Sequence, residues 1–73
     1  PAVRAAHLIQ VARAQLQAGT PGAAANTLLE ADRIAPAEAR VRPLARHTLA
    51  TILRRLDRPS PITHLAETIG VSV

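Results

Sequence analysis

Residues 5–38 constrain this chain more than any other stretch. Gly19-Thr20-Pro21 separates two segments in which apolar residues recur at three- and four-residue steps. Such steps place side chains on one face of an α-helix, so the stretch reads as two amphipathic helices joined by a tight turn. The first spans residues 2–18 and presents Leu8, Val11, Ala12, Gln15 and Leu16 for packing. Gly19 stops it, because a glycine adopts the left-handed conformation after a helix without a steric penalty. Pro21 suits the first position of a new helix, and the Thr20 hydroxyl is placed to cap it. The second helix spans residues 21–34, with Ala24, Leu28 and Ala31 as its stripe and Leu29 and Ile34 beside it. Pro36 ends it by driving Ala35 out of the α region.

The remainder reads as a second layer laid on that pair. Residues 36–42 predict a short helical turn, with Glu38 and Arg42 as an i,i+4 pair. A longer, Arg-bearing third helix follows over residues 43–56, with Ala45, Leu49, Ile52, Leu53 and Leu56 on its core side. Asp57-Arg58-Pro59-Ser60-Pro61 is a loop by its prolines, and Ser60-Pro61 repeats the cap-then-proline start of Thr20-Pro21. A short C-terminal capping helix spans residues 61–69 with Ile62, Leu65, Ala66 and Ile69 on one face. Gly70 ends it and Val71 is expected to pack back. No stretch alternates at period two, so no strand is expected. The expected fold is all-α with four helices in one domain, 1–73: a hairpin over 5–38, then packing and capping helices over 39–73. The chain opens on Pro1 rather than Met, and reads as a fragment of a larger protein.

Composition narrows the chemistry. The chain has 73 residues, 48% of them apolar, enough for one small core. It has no Phe, Trp, Tyr, Met or Cys, so that core is built from Leu, Ile, Val and Ala. The lack of cysteine removes disulfides, thiolate metal sites and a cysteine nucleophile. No apolar run reaches the roughly 18 residues a membrane span needs, and no signal-peptide pattern opens the chain, which points to the cytoplasm. The formal net charge is +4, and all nine cationic side chains are Arg. Together with the abundant Ala, this points to a GC-rich bacterial genome.

The polar residues give little support to catalysis. Glu30, Asp32, Glu38, Asp57 and Glu67 form no spacing that implies a reactive site with His7, His47 or His64. Glu67 follows His64 by three, as helical metal ligands do, but a second such pair is lacking and a solvated His–Glu face is the simpler reading. No Gly-rich phosphate loop is present, so no enzyme, cofactor or metal is expected. Arg40, Arg42, Arg46, Arg54, Arg55 and Arg58 crowd the second half. Arg46, Arg54 and Arg58 are the candidate nucleic-acid contacts. No aromatics interleave for base stacking, and a solvated face is the competing reading. Residues 62–72 also read like the first helix and turn of a DNA-binding helix-turn-helix, with Ala66 and Gly70 at its usual spacing. A recognition helix would have to follow.

The first half resembles a tetratricopeptide repeat. That pattern, about 34 residues long, is matched here by Leu8, Val11-Ala12, Gln15, Gly19, Ala24, Leu28, Ala31, Ile34 and Pro36. Small Ala12 and Ala24 would let two helix axes approach, with Leu8 and Leu28 filling around them. Gln15 stands where an aromatic is usual and Leu8 where Trp is usual. One period beyond Leu8 stands Arg42, so one unit is present. The whole chain resembles the repeat-like C-terminal region of actinobacterial XRE-type helix-turn-helix transcriptional regulators. The resembling features are its Gly-turn hairpin, the helix end Ala31-Asp32-Arg33-Ile34-Ala35-Pro36, the Arg-bearing helix over 41–55, and the tail Leu65-Ala66…Ile69-Gly70-Val71.

This resemblance implies that the first helix lines a binding surface carrying Ala6, Ile9, Arg13, Leu16 and Gln17. Of these, Ile9, Arg13, Leu16 and Gln17 are the expected partner contacts. Ile9 and Leu16 would then be apolar groups outside the hairpin's own core, met by a partner, by a second copy, by the third helix or by a preceding domain. A single repeat does not bury its own faces, so a homodimer or docking onto the parent chain is expected. The expected function is protein–protein interaction, dimerisation or sensing within a bacterial transcriptional regulator, with DNA bound only through a missing domain and no membrane contact. Direct DNA binding through the Arg-rich half and a small-molecule sensor pocket between helices are the alternatives.

Overall fold

The computed structural model describes residues 2–56 and 61–70. Five helices carry them: α1 (Ala2–Gln17), α2 (Pro21–Ile34), α3 (Pro36–Val41), α4 (Pro43–Arg55) and α5 (Pro61–Ile69), with no strand among the described residues. The all-α expectation holds. The count is five rather than four, because the stretch after Pro36 closes into a six-residue helix instead of a passing turn.

Prolines explain the segmentation. Ala35 and Arg42 each precede a proline and both leave the helical region, with ψ of 84° and 128°. Each also keeps the chain compact by serving both sides of the break. The Ala35 amide closes α2 on the Ala31 carbonyl, while its own carbonyl receives the amides of Glu38 and Ala39. Arg42 does the same between Glu38 and Arg46. One residue therefore separates each helix from the next, and α3 is a bent continuation rather than a free loop. Glu38 and Arg42 form the expected ion pair, and a second pair, Arg40 Nε to Asp32 Oδ1 at 3.0 Å, fastens α3 to α2.

Glycine ends α1 as expected. Gly19 has φ +87°, its amide donates to the Leu16 carbonyl, and the Thr20 amide reaches back to Gln15, the paired bonds of a Schellman stop. Thr20 differs from its expected role. Its hydroxyl donates to the Gln15 carbonyl at 2.8 Å and makes no cap bond to α2, which starts on Pro21 instead. Gly70, φ +85°, stops α5 in the same conformation. Asp57, Arg58, Ser60 and Val71, with the loop and back-packing expected of them, lie outside the described residues.

The core is aliphatic. It joins Ala5, Ile9, Ala12 and Leu16 of α1 to Ala24, Ala25, Leu28 and Ala31 of α2. From the second layer come Ala45, Leu49 and Ile52 of α4 and Ile62, Leu65 and Ala66 of α5. α1 and α2 form the most extensive pair, α4 lies across both, and α5 packs on α2 and α4. Alanine at facing positions allows this close approach.

One expectation is corrected here. Ile9 is 1% exposed and Leu16 5%, so both belong to the core rather than to an open partner face. The stripe of α1 is rotated from the expected one, and Leu8, Val11 and Gln15 lie half-buried at its edge. The covering comes from within the chain: α4 closes over α1. Gln15 finds a polar use, accepting a hydrogen bond from the Thr27 hydroxyl at 2.6 Å across the α1–α2 contact.

Candidate ligand cleft

Where α4 crosses the C-terminal half of α1, the two helices leave a cleft of about 310 Å³. Its walls are Arg13, Leu16 and Gln17 of α1, and Leu44, His47, Thr48, Thr51 and Arg55 of α4. The α4 positions recur at three- and four-residue steps, so they form a second stripe beside the helix's core stripe of Ala45, Leu49 and Ile52. Leu16 and Leu44 make the apolar part of the wall. Arg13, Gln17, His47 and Arg55 are exposed along its rim, and Thr48 is buried in it.

Two features set the chemistry of this cleft. The first is charge. Arg13 and Arg55 bring two guanidinium groups to it, and among the described residues no carboxylate lines it. Glu30, Asp32 and Glu38 are engaged elsewhere with Arg33, Arg40 and Arg42. The Arg33 hydrogen bond holds the Glu30 carboxyl below its ordinary titration range, and Glu30 in turn raises Arg33. Arg55 is fixed at the rim, donating from Nη1 to the Leu16 carbonyl at 2.9 Å. α1 has no basic residue in its own last turn, so this guanidinium supplies the cation that a helix C-terminus favours.

The second feature is Thr48. Its hydroxyl is buried and has no hydrogen-bond partner among the described residues. Thr27, Thr51 and Thr68 each hold the hydroxyl 3.0–3.1 Å from the carbonyl four residues back, the usual placement for a threonine inside a helix. Thr48 does not adopt that placement, although it is the most buried of the four. A buried hydroxyl left unpaired costs about 1–3 kcal/mol. Sites that keep such a group call for a specific explanation.

The expected site residues divide as follows. Arg13, Leu16 and Gln17 line the cleft together, Leu16 from within the core, while Ile9 lies inside the core away from it. Arg46 is half-buried and spans to two carbonyls, Arg40 at 3.3 Å and Ile69 at 3.4 Å, so it ties α4 to the ends of α3 and α5. Arg54 is exposed and donates to the Thr51 hydroxyl at 3.1 Å. Arg58 lies outside the described residues. His64 and Glu67 are exposed on α5, and the described residues hold no group of three potential metal ligands. No described helix is long and apolar enough to cross a membrane. Sequence reasoning missed Leu44, His47, Thr48, Thr51 and Arg55; their helical spacing was the available signal. Comparison with known proteins adds no relative: no family model, no curated protein and no solved structure matches the chain.

Proposed function

We propose that this chain is the sensing and interaction module of a bacterial, XRE-type transcriptional regulator. In this reading α1 and α2 are a tetratricopeptide-like hairpin, and α4 and α5 are the second layer stacked on it. The observation that carries the reading is the cleft between α1 and α4. In a stacked helical repeat the first helix of each layer lines the binding face; in this reading α1 and α4 would take those positions, and the support is that Arg13, Leu16 and Gln17 of α1 line one cleft with α4. Small Ala12 and Ala24 at the α1–α2 contact fit the repeat pattern.

The partner in this reading is the parent chain, which carries the DNA-binding domain and places the protein in the cytoplasm. Burial of Ile9 and Leu16 removes the apolar face that argued for a homodimer. The large apolar side chains left exposed among the described residues are Val3 and Val41, and two single residues do not demand a second copy. Direct DNA binding draws less support, since Arg46 is engaged by helix-end carbonyls.

The test uses the full product of the gene. We expect it to retard promoter DNA in a gel shift, and we expect deletion of this segment to abolish regulation while leaving DNA retardation in place. A full-length product that does not bind DNA, or a deletion that leaves regulation unchanged, overturns the reading.

A further inference from the structure

We infer that the α1–α4 cleft is a binding site for a small organic oxyanion, a carboxylate or a phosphate monoester carrying a short apolar part. The inference deepens the sensing reading above by naming the chemistry of the ligand, and rests on it for physiological meaning. The binding itself follows from the cleft alone.

Three properties of the cleft converge on this ligand. Its volume, about 310 Å³, lies at the lower end of small-molecule sites and suits a ring-sized ligand. Its charge is one-sided: Arg13 and Arg55 approach it from opposite helices, with His47 beside them and no described carboxylate in the wall. Guanidinium is the side chain best matched to planar oxyanions, because it presents several donors in a fixed fork. Arg55 spends one of those donors on the Leu16 carbonyl, which holds the group in place and leaves the rest of the fork for a ligand. The third property is the Thr48 hydroxyl, buried in the same wall with no partner among the described residues. The oxygen is closed off as the side chain stands, so a turn about the Thr48 Cα–Cβ bond would bring the hydroxyl to an anion oxygen, the acceptor that the helix does not supply. Leu16 and Leu44 supply the apolar contact for the remainder of the ligand.

The experiment is an NMR titration of the 73-residue chain, following the backbone amides of residues 13–17 and 44–55. The probes are benzoate, phenyl phosphate, inorganic phosphate and, as the uncharged control, benzamide, each added to about 10 mM. We expect saturable shifts at the cleft with benzoate or phenyl phosphate and none with benzamide. Comparing those two anions separates carboxylate from phosphate, and inorganic phosphate tests whether the apolar part is needed. R13Q should weaken binding by about tenfold or more, the scale of a charge-assisted hydrogen bond. T48V should weaken it several-fold while raising the melting temperature, because it removes an unpaired buried hydroxyl. A merely structural threonine would not move both readouts in opposite directions.

Absence of saturable binding by any anion overturns the inference, as it would if a carboxylate of the chain's own already held the guanidinium groups. Shifts equal for benzoate and benzamide, or unaffected by R13Q and T48V, overturn it too. The regulator reading is tested on DNA binding by the full gene product, so either can fail without the other.

Discussion

Replacing Ile9 by alanine separates the buried α1 stripe from the open face that helical spacing alone suggests. Ile9 is 1% exposed and sits in the cluster shared by α1, α2, α4 and α5. The substitution removes three carbons, a transfer loss of about 2.4 kcal/mol. Partial collapse around the gap adds to that, giving about 2.5–4 kcal/mol. A domain of 73 residues has a total stability of roughly 4–11 kcal/mol, so one methyl-bearing side chain accounts for a large share. The assay is urea unfolding followed by far-ultraviolet circular dichroism, since the chain has no Trp, Tyr or Phe for fluorescence. With a urea dependence of about 1 kcal/mol/M, the midpoint should fall by at least about 2 M. Q10A, one residue along on the exposed side, is the control and should stay within about 0.5 kcal/mol. If I9A costs less than about 1 kcal/mol, or no more than Q10A, then Ile9 is not a core residue and the packing of α4 over α1 is wrong.

Four further outcomes follow from the same geometry. G19A should cost about 1–2 kcal/mol in urea unfolding, because Gly19 has φ +87° and nothing within 4 Å of its missing Cβ, so the penalty is conformational and not steric; G22A, inside α2 with equal space, should be neutral or stabilising by about 0.5 kcal/mol. Glu30 should titrate below the ordinary glutamate range by NMR, held there by the Arg33 hydrogen bond, and R33Q should return it. A depressed folded-state value means that the pair's contribution is present above the ordinary glutamate pKa and fades as pH falls through the folded one. R55K keeps the charge but loses the planar fork, so anion titrations should show weaker binding than in the wild type despite an unchanged net charge.

The breaks in this fold were legible because they are written in two residue types whose backbone effects are local. Gly19 and Gly70 stop helices, and Pro36 and Pro43 force single-residue breaks at Ala35 and Arg42. Between the two prolines, six residues are too few to show a helical period, so α3 read as a turn. The buried face of α1 was not legible for a different reason. Ala5, Ile9, Ala12 and Leu16 lie within about a 60° arc, but Leu8 and Val11 extend the apolar surface well past it. A helix this rich in alanine offers several plausible stripes, and only the position of α4 chooses among them. The cleft was hidden by the same indeterminacy. Leu44, His47, Thr48, Thr51 and Arg55 are visibly spaced as a stripe, but nothing local says that this stripe meets Arg13 and Gln17 across the chain.

α4 is consequently the helix on which both structure and site depend. One face buries Ala45, Leu49 and Ile52 against the α1–α2 pair, and the adjacent face lines the cleft. Two of its arginines reach the carbonyl ends of neighbouring helices, Arg46 that of α5 and Arg55 that of α1. Those bonds complement the negative ends of the helix dipoles and add to the packing that holds α4 in place. Arg55 belongs to both systems: the bond that anchors it to Leu16 also holds it at the cleft rim beside Thr48. An anion drawn to that rim meets a guanidinium already ordered, and the entropy of ordering it is borne by folding rather than by binding. The same bond makes ligand and fold mutually dependent, because whatever strengthens the hold on Arg55 also strengthens the closure of α4 on α1. A ligand at the cleft therefore acts on the contact between the two layers, which is where a sensing module would have to pass its signal on.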